Sequence, residues 1–165
     1  MEGPLRLTDA HPWRRFMGII YECVILFGVL WLVNYLFSTL TTYKGEGGLL
    51  GGVSQLLLVI VMAAYFGGQW SAGRRTLPMK TLDLQVVDSA GRYVTIGRAL
   101  IRYFVALMML IAALAVTKWH PAGLLLLMLP ASWTIIDPQR RALYDLVAGT
   151  RLVMQSAKAV PPNHP

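Results

Sequence analysis

The stretch FMGIIYECVILFGVLWLVNYLFSTL, residues 16–40, decides the fold class. Glu22 is its one charged residue, and the run is longer than the about 20 apolar residues that cross a hydrocarbon core of about 30 Å. It also exceeds the roughly 7–15 apolar residues of a signal peptide, and no A-x-A-like cleavage site follows it. The preceding pair Arg14-Arg15 is therefore not interpreted as an export signal. The sequence therefore predicts a transmembrane helix that is not cleaved off as a signal peptide.

Composition supports a membrane protein. Of the 165 residues, 56% are hydrophobic and only 14% are charged, which differs clearly from the usage of soluble domains. The formal net charge is +7, but basic residues that flank apolar runs usually report orientation and contact with anionic lipid, so nucleic acid is not expected as a partner. Cys23 is the single cysteine, which argues against a disulfide framework or a cysteine metal site, and a plain buried thiol is expected.

Four apolar segments predict an all-α integral membrane protein with four transmembrane helices arranged as two antiparallel hairpins. The connections within each hairpin are too short for any other arrangement. We predict one domain over residues 1–165, with a cytoplasmic loop at residues 68–98 and a cytoplasmic tail at residues 137–165. The predicted spans are residues 16–40, 49–67, 99–117 and 121–136, and the last of these apolar segments is the shortest.

The distribution of basic residues predicts the orientation. Cytoplasmic loops carry an excess of Lys and Arg, and a four-span arrangement places 13 of the 15 basic residues on one side. Only Lys44 and Lys118 fall in the two hairpin loops on the other side. Three spans would put the basic residues of the tail outside. We therefore expect a multi-pass protein of the plasma (inner) membrane with both termini in the cytoplasm.

The loop and the tail have predicted structure of their own. Alternation at residues 82–86, turn residues at 88–91 and a return at residues 92–95 predict a small cytoplasmic β-hairpin between the second and third helices. Asp137-Pro138 offers a helix start, and an apolar face that ends before Gly149 predicts a short C-terminal amphipathic helix. Residues 150–154 are predicted to add a strand to the hairpin, because two strands alone are marginally stable.

Three pieces of the sequence carry a resemblance to a known family. They are Arg15 at the start of the first helix with an acid seven residues later, the hairpin segment at residues 82–100, and RRALYDLVAGT at residues 140–150. Together they resemble the RDD family of membrane proteins, over about residues 13–154. The resemblance implies that Arg15 is the family arginine, with Arg14 as the near alternative, that Glu22 stands at the first aspartate position, and that Asp145 is the second aspartate.

Two departures from the family pattern are visible. Glutamate replaces aspartate at Glu22, and Tyr144 stands where histidine is common. The resemblance implies a membrane protein whose biochemical role is largely undefined. Transport of unknown ligands has been suggested for the family, and cation/proton exchange is one form of that suggestion.

Glu22 is the strongest candidate for chemistry. An ionisable group within a membrane helix is costly and normally faces a partner or a water-filled cavity. Arg98 and Arg102 enter the third span from the same side as Arg15, and we hypothesise an ion pair between Arg102 and Glu22. One interpretation is a structural pair that fixes helix register, which is slightly favoured because one acid makes a thin transport pathway. The other is exchange of a proton or a cation at Glu22.

Asp145 has two possible partners by sequence. It lies four residues after Arg141, which allows an exposed helical salt bridge. Alternatively, it pairs with Arg74, Arg75 or Arg98 of the central loop and closes the tail over the cytoplasmic mouth.

These residues predict a transporter or a cation/proton exchange component. The alternative is a non-transporting scaffold or accessory subunit that docks a cytoplasmic partner. No catalytic constellation, cofactor motif or metal-ligand spacing is present, so we do not expect an enzyme, a cofactor or a metal. The expected partners are the lipid bilayer, anionic lipid headgroups at the basic face, and a second copy or another membrane protein.

Overall fold

The computed structural model describes residues 6–45, 47–121, 123–138 and 141–156. The chain in these ranges is mostly helical and has a small antiparallel sheet. Its elements, in chain order, are β1 (Arg6–Asp9), α1 (Pro12–Thr41), α2 (Leu49–Trp70), α3 (Leu77–Thr81), β2 (Leu84–Asp88), α4 (Ile96–Thr117), α5 (Gly123–Ile136), α6 (Leu143–Ala148) and β3 (Thr150–Ser156).

Within the described ranges, three helices are long and apolar enough to cross a membrane, namely α1, α2 and α4. They contain 30, 22 and 22 residues, which correspond to about 45, 33 and 33 Å at 1.5 Å per residue. Since a hydrocarbon core is about 30 Å thick, α1 extends beyond it by about 15 Å. Near its start α1 packs on the beginning of β2, where Gly18 lies against the side chains of Leu82 and Leu84. The three predicted spans are therefore present as helices.

The fourth predicted span, residues 121–136, is not confirmed. Its helix, α5, has 14 residues and contains Pro130, so it is about 21 Å long and shorter than the core of a bilayer. α5 packs along α4 after a tight connection. A Cβ atom on Gly123 would lie 2.5 Å from the backbone nitrogen of Thr117, so the connection requires glycine there.

The sheet joins distant parts of the chain. Its order is β1-β3-β2 and both pairings are antiparallel, with Val153 opposite Asp9 on one side and opposite Gln85 on the other. The predicted strand after Gly149 is therefore confirmed, and it is the central strand. The predicted hairpin is only partly present, because its second half is reduced to one bridge between Val87 and Tyr93. Thr95 already caps α4, which leaves no room for more pairs.

The C-terminal helix differs from the prediction at its start. α6 begins at Leu143, and Asp137 instead accepts hydrogen bonds from the backbone and side chain of Arg141, at 2.8 and 3.0 Å. Asp137 therefore closes the turn between α5 and α6. The end agrees with the prediction, since Gly149 terminates α6 in the left-handed conformation with φ of 62°.

The buried core lies at one end of the helices. We call this end the cap, and it consists of β1, α3, β2, α6 and β3. Its largest fully buried apolar side chains include Leu84, Val86 and Val153, whereas the most apolar part of α1 has no buried residue. Exposed apolar residues such as Val24 and Phe27 on α1 are what a helix in contact with lipid requires. At the other end, Ser54 of α2 donates a hydrogen bond of 2.9 Å to Asn34 of α1.

Candidate functional site

Two arginines and one aspartate form a buried ion-pair cluster where the cap meets the long helices. Asp145 Oδ2 lies 3.3 Å from Arg15 Nη1, and Asp145 Oδ1 lies 2.6 Å from Arg102 Nη1. Arg15 comes from the first turn of α1, Arg102 from the second turn of α4, and Asp145 from α6. All three side chains are at least nine-tenths buried. The cluster therefore ties three distant segments together.

Asp145 is held by further hydrogen bonds. The Ala142 amide donates to Oδ2 and the Thr150 hydroxyl donates to Oδ1, each at 3.2 Å. Arg15 also donates to the carbonyl oxygen of Leu152 at 3.0 Å, so it anchors β3 as well. Because a buried carboxylate is stable only when it is paired and hydrogen-bonded, this set explains how Asp145 is fully buried.

Aromatic rings enclose the guanidinium of Arg102. The guanidinium carbon lies 4.7 Å from the centre of the Trp70 ring and 5.1 Å from that of Tyr144. Such cation–π contacts favour arginine over lysine. Desolvation, with a smaller effect from Asp145, raises the pKa of the Tyr144 hydroxyl. Burial therefore disfavours ionisation of the Tyr144 hydroxyl.

Glu22 lies apart from the ion-pair cluster. Its Oε2 accepts a hydrogen bond of 2.8 Å from the hydroxyl of Thr76, in the segment before α3. Its Oε1 is buried and has no partner in good hydrogen-bond geometry among the residues that the structure describes, although the hydroxyl of Tyr65 on α2 also interacts with the carboxylate. The hypothesis of an Arg102–Glu22 pair is wrong, because α6 inserts Asp145 beside Arg102 while the Thr76 segment covers Glu22. Neither sequence-based alternative for Asp145 is correct either, because Asp145 pairs with Arg15 and Arg102 and not with Arg141 or with Arg74, Arg75 or Arg98. Arg141 binds Asp137.

The remaining candidates, Arg14 and Arg98, lie outside the cluster. Arg14 donates to the carbonyl oxygen of Leu82 at 3.0 Å and so joins α1 to the cap. Arg98 lies 3.8 Å from the carboxylate of Asp88 and is partly exposed. The structure thus selects Arg15 over Arg14 as the arginine that faces Asp145.

Asp88 organises the turn that follows β2. Its Oδ1 accepts from the amides of Ala90 and Arg92 at 2.8 Å, and its Oδ2 accepts from the Arg92 side chain at 3.0 Å. The hydrogen bond from the Arg92 amide is the main cause that lowers the pKa of Asp88, and those from the Arg92 guanidinium and the Ala90 amide add to it. Together they outweigh desolvation, which acts in the opposite direction. The sequence indicated only a turn here. Asp side chains in turns commonly accept a hydrogen bond from the backbone amide two residues later, as Asp88 does from Ala90.

A cavity of about 450 Å³ lies between α1 and α4, next to the ion-pair cluster. Arg15, Glu22 and Arg102 line it together with apolar residues from α1, α2, α4 and α5. Cys23 also lines it and is exposed, so the expectation of a buried thiol is wrong. No group of three His, Cys, Asp or Glu residues that could hold a metal ion occurs in the described ranges.

The sequence did not reveal the parts played by Thr76, Trp70 and Tyr144. Tyr144 was noticed only as a departure from a family pattern. The one available signal was adjacency, because Tyr144 directly precedes Asp145.

The fold and the cluster together define a multi-pass helical membrane protein whose chain segments meet in a cap around a buried Arg-Asp-Arg cluster. Residues 10–149 match the model of the RDD family, and the chain belongs to that family. The match includes Arg15, Glu22 and Asp145, and it confirms the resemblance inferred from the sequence. No curated protein and no solved structure matched the chain in two further comparisons.

Proposed function

We propose that this RDD family protein is a small transporter or a cation/proton exchange component, in which Glu22 exchanges the ion. The observation that carries this proposal is the state of the Glu22 carboxylate. One oxygen accepts from Thr76, and the other is buried and has no partner in good hydrogen-bond geometry, although the Tyr65 hydroxyl also interacts with this carboxylate, which lines the cavity. A buried acceptor without a partner is costly, and a proton or a cation would satisfy it.

The proposed location is the plasma (inner) membrane with the cap in the cytoplasm and with α5 as a fourth, short crossing. Exposed basic side chains support this orientation, since Arg74, Lys80 and Arg92 belong to the segment that forms the cap, whereas Lys118 lies at the far end of α4. By the positive-inside rule the cap side faces the cytoplasm.

Ion flux in proteoliposomes tests the proposal. The full chain would be reconstituted with a pH-sensitive dye inside, and a gradient of Na⁺ or K⁺ would be imposed. We expect a change of internal pH with the wild type, and its loss in Glu22→Gln. The matched control is Asp83→Asn, which makes the same chemical change at an exposed acid outside the cavity. Flux that persists in Glu22→Gln would refute the assignment.

A non-transporting scaffold is the second candidate, and the surface of the cap favours it. Leu77 and Tyr93 are both exposed by about 60%, near the exposed basic residues Arg74 and Lys80. A mixed apolar and basic surface suits anionic lipid headgroups or a cytoplasmic partner, and the chain would then be neither an enzyme nor a transporter. A scaffold predicts no flux in the same liposomes and a stoichiometric membrane or cytoplasmic partner on purification, or a homo-oligomer.

A further inference from the structure

The cavity between α1 and α4 changes character along its length. At the cap end its walls include Arg15, Arg102 and Trp70, which are all at least nine-tenths buried. Away from the cap the walls are apolar apart from Glu22, and they include Ile19 and Leu110, which are both 42% exposed on the outside of the long helices. A site with one charged, enclosed end and one apolar end that opens toward lipid matches a molecule of the same two-part chemistry.

The enclosed end carries an excess of positive charge and unused hydrogen-bond donors. Two guanidinium groups share the single carboxylate of Asp145. The Nε atoms of Arg15 and Arg102 and the Nε1 atom of Trp70 are buried without a hydrogen-bond partner among the described residues. Leaving buried donors unpaired costs about 1–3 kcal/mol each. These three atoms have almost no accessible surface, so an anionic group in the cavity would lie against the guanidinium groups and balance the second arginine.

The apolar end fits one alkyl chain. Arg102, Ala106 and Leu110 are spaced by four residues and lie on one face of α4, so the wall extends about 12 Å from the guanidinium level. A helix of a second protein molecule, about 10–12 Å wide, would need roughly 900 Å³ over that length. The cavity offers about 450 Å³, within the range of small-molecule sites.

We propose that this cavity binds a single-chain anionic amphiphile, with its head at Arg15 and Arg102 and its alkyl chain along Ala106 and Leu110. The head is a carboxylate or a phosphate, which share the negative charge that would balance the second arginine. The proposal is independent of ion exchange at Glu22, because it concerns binding at the cationic end and holds in the absence of flux.

Binding of radiolabelled palmitate to the full chain in nanodiscs of zwitterionic lipid tests the proposal, with empty nanodiscs subtracted. We expect saturable binding, and binding about tenfold weaker for Ala106→Phe, which fills the apolar end. Ala112→Phe is the matched control, because Ala112 is exposed on the same helix and does not line the cavity. Equal affinities of Ala106→Phe and wild type, or no saturable binding by folded wild type, would overturn the proposal.

If Ala106→Phe does not fold, displacement of bound palmitate from the wild type by other ligands tests the proposal. Hexadecyl phosphate should displace palmitate, and its affinity relative to palmitate assigns the head as phosphate or carboxylate. Hexadecanol, which has the same chain and no charge, should compete at least about tenfold more weakly. Equal competition by hexadecanol, or by acetate or inorganic phosphate without a chain, would overturn it. Flux is not measured in this assay, so its failure is distinct from a failure of the ion-exchange proposal.

Discussion

Asp145 is the only described acidic residue within ion-pair distance of Arg15 and Arg102, so both buried arginines depend on it. Removing one member of a buried ion pair leaves an uncompensated charge and costs about 3–5 kcal/mol. The sequence identified all three residues as candidates, and the family resemblance singled out Arg15 and Asp145. It did not give the pairing, because 130 residues separate Arg15 from Asp145 and only the fold brings them together.

A double-mutant cycle tests the pairing at the residue scale. Arg102→Ala and Asp145→Asn should each destabilise the protein, and the double variant should be more stable than the sum predicts, by about 0.5–3 kcal/mol of coupling. Arg102→Ala combined with Glu22→Gln should show a smaller coupling than Arg102→Ala with Asp145→Asn, because Arg102 and Glu22 line the same cavity but do not pair. Chemical unfolding in detergent measures both. Coupling to Glu22 in place of Asp145 would contradict the structure.

Asp88 predicts a pH dependence of cap stability. Its pKa in the folded protein is below the ordinary value of about 3.9, so its contribution is present above that value and is lost as the pH falls through the folded pKa. Asp88→Asn should therefore lower the melting temperature most near pH 7. The difference from wild type should shrink below about pH 4. A difference that grew on acidification would refute this sign.

At the scale of elements, the sequence predicted the three long helices well and the cap only in part. Apolar runs predicted spans at residues 16–40, 49–67 and 99–117. The helices are longer than these spans at the ends that enter the cap, since α2 ends at Trp70 and α4 begins at Ile96. Strand β1 was missed because four residues are too few for a pattern, and because its pairing with Val153 and its neighbours is not local. Short elements that depend on distant partners leave little trace in sequence.

The connection between α4 and α5 makes a prediction about glycine. Gly123→Ala should destabilise the protein, because the new Cβ atom would meet the backbone of Thr117 at 2.5 Å and one helix must shift. Gly52→Ala is the matched control, since a Cβ atom there meets nothing within 4 Å. We expect a loss of about 1–3 kcal/mol for the first and a neutral or slightly favourable effect for the second. Thermal unfolding compares them, and equal effects would contradict the geometry.

At the scale of the whole molecule, the cap collects the start, the middle and the end of the described chain at one end of the helices. Cysteine labelling tests on which side of the membrane they lie. In a Cys23→Ala background, exposed positions Ser89 and Val147 should be labelled by an impermeant reagent from the same side, and Lys118 from the opposite side. Labelling of Val147 from the Lys118 side would show that α5 does not return across the bilayer.

Strand β3 is central to the sheet, so its removal should affect more than the tail. Truncation after Gly149 removes the partner of both β1 and β2 and the carbonyl that Arg15 binds. We expect such a chain to fail to accumulate in membranes. Truncation after Ser156 keeps all three strands and should accumulate normally. Quantitative immunoblotting of membrane fractions compares the two, and normal levels of the shorter chain would show that the cap is dispensable.

Asp145 follows both arginines in the chain, so it is synthesised after them. Arg15 precedes Asp145 by 130 residues, which takes roughly 7–26 s to translate at about 5–20 residues per second. During that interval Arg15 on α1 and then Arg102 on α4 are synthesised before the acid that pairs with both of them. Until Asp145 is made, the guanidinium groups of Arg15 and Arg102 have to stay in water or at the lipid headgroups. The cap closes only after β3 has been synthesised. Insertion of the helices and assembly of the cap are therefore separate events in time.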